Sequence, residues 1–200
     1  MKNQKIDIEL FWIKILQVLS KVRVNPEDQV LIKELDDIVF NFGEYEWEYG
    51  PSQKTDFYFC LSPNLNAELL DEVDAIILAA PELAGWEFIS CKPRKKDVTK
   101  WSMSDQNGNE IVINTLNWRC IVYKYPDDTL ELDVMTDSKT DLDTQYSAVD
   151  IHIMNLIGER EYMKYITSFT IVKNFPSDDE HKSIPMDQLH EVIVKHFSIR

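Results

Sequence analysis

Residues 55–92 read TDFYFCLSPNLNAELLDEVDAIILAAPELAGWEFISCK. Thr55 to Leu61 is aromatic-rich and strand-like, and it stops at Ser62-Pro63-Asn64. From Leu65 to Ala79 the spacing becomes helical. Leu65, Leu69, Val73, Ile76, Ile77 and Ala80 share one face, and Glu68, Asp71, Glu72 and Asp74 share the other. Pro81 lacks an N–H and ends the helix; Gly85 to Lys92 is the next strand. Strand, helix and strand in this order predict two parallel strands joined by a crossover.

Working outward, Ile8, Phe11, Trp12, Ile15, Leu16, Leu19 and Val22 repeat at helical spacing over residues 7–23. Asn25-Pro26 breaks that helix, and a second runs from about Glu27 to Asn41, with Leu31, Leu35, Ile38 and Phe42 in one stripe. Two such helices form a hairpin whose apolar stripes need a sheet to lie on. On the C-terminal side, Trp101–Ser104 precedes a turn at Asn107-Gly108. Asn117–Tyr125 and Thr129–Thr136 form an antiparallel hairpin around Pro126-Asp127-Asp128. Thr144–Leu156 is helical, with Asp143 expected as its cap and Gly158 as its end. Tyr162–Val172 is predicted as a strand, with a Met-Lys-Tyr start that also suits a helix, and Pro185 opens a last helix to Phe197. The class is α+β: a mixed sheet built from strand–helix–strand units and a hairpin, with the N-terminal helical hairpin packed on it. A single globular domain over 1–200 is expected, with the helical hairpin at 1–43 and an α+β body at 44–200.

The segment Ala79-Ala-Pro-Glu-Leu-Ala-Gly-Trp-Glu-Phe88, the Lys92-Pro93 pair after it and the later Leu156-Ile157-Gly158-Glu159 resemble the motifs of a group of uncharacterised bacterial proteins. That resemblance implies a shared fold unit and a bacterial origin. It implies no activity, cofactor or catalytic residue. Physically, the turn reads as a packing corner: Pro81 ends the helix, Gly85 allows a tight entry, and Trp86 and Phe88 share one strand face for burial.

Composition bounds the function. Of 200 residues, 44% are apolar and 11% aromatic, enough for a packed core. The 35 acids against 21 bases leave a net charge of −14, which disfavours DNA as a partner. Acidic and basic residues interrupt the N-terminal apolar run, and no stretch is long enough for a membrane span. Cys60, Cys91 and Cys120 are odd in number, widely spaced and set in strand-like runs, so reduced thiols and a cytoplasmic location are expected.

No phosphate-binding glycine loop, zincin motif or nucleophile elbow occurs, and five glycines leave little to build a phosphate cradle from. No catalytic residue, metal site or cofactor is therefore assigned. His190 and His196 lie on different faces of one helix, and His152 and His181 read as surface or ordinary hydrogen-bonded side chains. Asp137, Asp141 and Asp143 could offer hard oxygen ligands, yet they lack the glycine and final glutamate of a calcium loop.

The densest feature is acidic. Asp127, Asp128, Glu131, Asp133, Asp137, Asp141 and Asp143 form a candidate face for a basic partner, with one base, Lys139, among them. The expected function is a non-enzymatic acidic protein-interaction module, with immunity-like neutralisation of a basic protein as one form. A homodimer through an unpaired edge strand is also open. The alternative is a small ligand-binding domain or enzyme with an acidic and aromatic pocket around Tyr45–Tyr49. There Glu46 and Glu48 alternate onto one strand face, about 7 Å apart at Cα. The basic run Lys92, Arg94, Lys95, Lys96 and Lys100 reads as a solvated loop that offsets the acidic field, or as a weak site for an anionic ligand or RNA backbone.

Overall fold

The computed structural model describes residues 2–96, 98–137 and 139–197, with side chains from residue 7 onward. The chain divides after Lys92 into two compact units, 1–92 and 93–200. Among the described residues no helix is long and apolar enough to cross a membrane.

In the first unit, α1 (Lys2–Val22) buries Phe11, Trp12, Ile15, Val18, Leu19 and Val22 along one stripe. α2 (Gln29–Phe42) starts at Asp28, whose side chain accepts the Val30 N–H at 2.9 Å, and it buries Leu31, Leu35 and Val39. The two helices form the expected hairpin. Their stripes close on a three-stranded sheet of β1 (Glu46–Pro51), β2 (Phe57–Ser62) and β3 (Trp86–Ser90), in that order, with β1 and β2 antiparallel and β2 and β3 parallel. The predicted crossover is thus present, through α3 (Leu70–Leu78).

The helix-facing side of this sheet is aromatic. Trp47 stacks on Phe59 and Phe57 on Trp86, while Trp12 of α1 meets Phe88 edge-on at 4.9 Å. Trp12 is 1% exposed, and its indole N–H donates to the Ile76 carbonyl of α3 at 2.9 Å, so one side chain ties α1 to both α3 and the sheet. Gly85 sits at φ +83°, and a Cβ there would stand 2.8 Å from a carboxylate oxygen of Asp56. The tight entry into β3 therefore needs glycine.

The second unit opens with the hairpin β4 (Lys100–Ser104) and β5 (Glu110–Asn114). A four-stranded sheet follows, built from β6 (Arg119–Lys124), β7 (Leu130–Met135), β8 (Ile166–Val172) and the two-residue β9 (Ile184–Pro185). Its order is β8-β7-β6-β9, with β7 and β8 parallel and the other pairs antiparallel. The parallel connection runs through α4 (Leu142–Ile157) and α5 (Glu159–Tyr165), and α6 (Leu189–Phe197) follows β9. Leu130, Leu132 and Val134 of β7 share a core with Ala148, Val149 and Ile153 of α4 and Leu189 and Ile193 of α6.

Four local expectations are corrected. The helix expected over 65–79 is shorter, because Asn64 and Leu65 take left-handed φ values of 51° and 60°. A 3₁₀ turn at Ala67–Leu69, capped by Asn66, then leads into α3. The strand expected from Tyr162 begins at Ile166. Gly158, at φ 87°, starts a new helix whose first-turn Glu159 and Glu161 and last-turn Lys164 suit the helix dipole. Pro185 pairs with Arg119 as part of β9, so the last helix starts at Leu189 after a 3₁₀ turn. The cap of α4 is Asp141, which accepts the Thr144 N–H at 2.9 Å and its hydroxyl at 2.7 Å; Asp143 lies exposed in the first turn.

Two substitutions test this packing by urea denaturation. Trp12→Ala should cost about 3–5 kcal/mol, the range for losing a large buried aromatic side chain. Asp141→Ala should cost about 1 kcal/mol, as lost caps do, with Asp143→Ala well below it.

Candidate functional site

The seven candidate acids follow β7 from end to end. Asp127 and Asp128 occupy the β6–β7 turn, where Asp127 accepts from the Thr129 hydroxyl at 2.7 Å and Asp128 pairs with Lys124 at 3.2 Å. Glu131 and Asp133 alternate with the buried Leu130, Leu132 and Val134 and so stand on the side of the sheet away from α4 and α6. Glu131 accepts the Tyr125 hydroxyl at 2.7 Å and Asp133 the Tyr123 hydroxyl at 3.0 Å. These carboxylates raise both phenols: for Tyr125 the hydrogen bond dominates, and for Tyr123 burial comes first. Ser168 and Thr170 of β8 lie beside Glu131 and Asp133 in register and are exposed. Beyond β7, Asp137 accepts from Asn117 at 3.0 Å and from the Trp118 indole at 3.2 Å.

Asp137, Asp141 and Asp143 are thus employed separately, as a bridge, a cap and a first-turn charge. Among the described residues no group of three or more His, Cys, Asp or Glu is placed to hold a metal ion. The acid surplus is not concentrated in this unit. Residues 1–92 carry 17 acids and 8 bases, and residues 93–200 carry 18 and 13. What distinguishes the β7 face is its local row of carboxylates with tyrosines.

The alternative pair separates. Glu46, exposed on the edge strand β1, pairs with Lys92 and borders a groove of about 470 Å³ with Asp36, Asp37, Phe40, Tyr45 and Trp47. Glu48 does not line that groove; it accepts the Tyr58 hydroxyl at 2.8 Å. The two carboxylates therefore do not face one cavity there as an acid and base would. Desolvation first, and Glu72 second, push the Tyr45 phenol up to about 12. All three cysteines are buried, and burial pushes the Cys120 thiol up to about 12, away from nucleophilic use.

A second feature escaped the sequence reading. His152 is 2% exposed, packs edge-on against Trp118 at 5.4 Å, and its Nδ1 has no hydrogen-bond partner among the described residues. Burial lowers its pKa to about 4. Ala148, Val149, His152, Ile153 and Leu156 form one helical stripe, so the spacing did carry the signal. His152 lines a partly open cavity of about 280 Å³ with Trp118, Leu156 and Met186; Arg94, Lys95 and Lys96 border it, as do Asp187 and Glu191. The Lys95 N–H donates to the Asn155 carbonyl at 2.7 Å, which fastens the basic loop to α4. That loop is a cavity wall as well as a solvated segment. Burial, followed by the nearby Arg94 guanidinium, lowers the His190 imidazole at the same end of the unit.

No protein-family model, curated protein or solved structure matches the chain.

His152 makes stability depend on pH with a definite sign. The unfolded chain protonates it near 6.5 and the folded chain near 4, so between those values the unfolded state holds the extra proton and folding weakens as pH falls. Urea midpoints at pH 7 and pH 4 should show the wild type losing on the order of 3 kcal/mol more than His152→Leu.

Proposed function

We propose that the protein is a non-enzymatic interaction module that binds a basic protein through the outer face of β6, β7 and β8. Neutralisation of a basic toxin, as an immunity protein performs it, is the form of this role that the reading favours. The observation carrying it is the sheet side opposite α4 and α6, where Glu131 and Asp133 stand with Tyr123 and Tyr125 beside exposed Ser168 and Thr170. Tyrosine supplies contact area at little entropic cost and is enriched in interface cores. Carboxylates around it steer a cationic surface toward docking and speed association. Asp127 and Asp128 in the β6–β7 turn and Asp137 beyond the other end of β7 extend the row past the strand itself. The absence of recognisable catalytic motifs in the sequence agrees with binding as the whole task.

Affinity capture at low salt, from lysate of the source cell, tests the reading against the paired variant Glu131→Lys/Asp133→Lys. The wild type should retain a basic protein that the variant loses, and added salt should release it. On purified components the variant should associate about tenfold more slowly or worse. Equal retention by both proteins, or a partner indifferent to salt, would overturn the assignment.

A further inference from the structure

The cavity beside His152 has features that the outer sheet face does not share. Its floor is apolar and buried, formed by Trp118, Leu156 and Met186. Its two charged borders have opposite signs and come from different elements. Arg94, Lys95 and Lys96 belong to the loop before β4, whereas Asp187 and Glu191 belong to the 3₁₀ turn and first turn leading into α6. At about 280 Å³ it lies at the small end of ligand sites, too small for a nucleotide or a dinucleotide cofactor. The His152 Nδ1 is a buried polar atom without a partner among the described residues, and such atoms are costly unless something satisfies them.

We propose that this cavity binds a small zwitterion of the α-amino-acid class, with its carboxylate toward Arg94 and Lys96, its ammonium toward Asp187 and Glu191, and its side chain against Trp118 and Met186. A simple anion such as phosphate would gain from the basic loop and be opposed by the two carboxylates. A simple amine would meet the reverse. Only a molecule carrying both charges uses both borders, and the apolar floor calls for a hydrocarbon or aromatic side chain between them. His152, held neutral by burial, contributes to the pocket wall without adding charge. This site is independent of the sheet face, and either can fail alone.

Calorimetric titration of the full chain with L-alanine, L-leucine and L-phenylalanine supplies the first reading. 3-Phenylpropanoate, 2-phenylethylamine and inorganic phosphate are the comparison probes. L-Leucine or L-phenylalanine should bind, and removing either charge from L-phenylalanine should weaken binding about tenfold or more. Arg94→Gln and Glu191→Gln alter exposed side chains, so both should keep the wild-type urea midpoint while each lowers the amino-acid affinity about tenfold. The His152 imidazole resonances in NMR should move on saturation with L-phenylalanine and stay put with phosphate. The proposal is overturned if no amino acid binds at millimolar concentration, if 3-phenylpropanoate or phosphate binds as well as L-phenylalanine, or if neither charge variant changes the affinity.

Discussion

A strand covered by helices on one side only must send every second side chain toward the other, and β7 is where that constraint decides most. Leu130, Leu132 and Val134 hold α4 and α6 against the sheet. The residues between them, Glu131 and Asp133, are thereby fixed on the opposite side at a spacing of two residues. Core and candidate interface are one decision read from two sides. A one-residue slip in register would bury both acids and expose the leucines, so the polar face cannot drift without unfolding the unit. The same alternation in β2 sends Phe57, Phe59 and Leu61 toward α1 and α3, and it leaves Tyr58 to meet Glu48 across the strands.

The two units also share a topology. In each, an antiparallel hairpin is followed by a helical crossover that lays a third strand parallel to the second: β1-β2-α3-β3 in the first, β6-β7-α4-α5-β8 in the second. A tyrosine–carboxylate pair bridges each hairpin diagonally on the side away from the helices, Tyr58 with Glu48 and Tyr123 with Asp133. No residue-level repeat accompanies this. The likeness follows from what a short sheet with helices on one face requires, because a parallel third strand needs a long connection and a helix supplies one that also buries apolar surface.

Much of this was legible because it rests on periodicity. The helical hairpin, the crossover after β2 and the β6–β7 hairpin each announce themselves by spacing or by a turn signal. What stayed hidden depends on contacts that sequence does not display. Pro185 reads as a helix start by local preference, and its pairing with Arg119 is a long-range event. Asp141 and Asp143 are equally good caps by residue type, and the chain direction entering α4 selected the first. His152 reads by residue type as a surface or ordinary hydrogen-bonded side chain, although its position in the Val149–Ile153 stripe already marks it for burial. The carboxylates were legible as a row, but which of them are engaged locally was not, since Asp137 finds Trp118 only through the fold.

The two candidate sites suit different ligands because their charges are arranged over different surfaces. Charges on the β7 face are screened by water and by salt within about 10 Å, so they are suited to steering a large partner whose many weak contacts add up. At the cavity, Arg94, Lys96, Asp187 and Glu191 are exposed too, but they surround a buried apolar floor of Trp118, Leu156 and Met186. Both signs converge there on one small pocket, and that convergence is what discriminates a small molecule. Burial beside that floor keeps His152 neutral, since an imidazolium there would need a paired anion to offset its desolvation. A neutral ring between opposite charges leaves the field of the site to Arg94, Lys96, Asp187 and Glu191, and that balance of signs makes a zwitterion the natural complement.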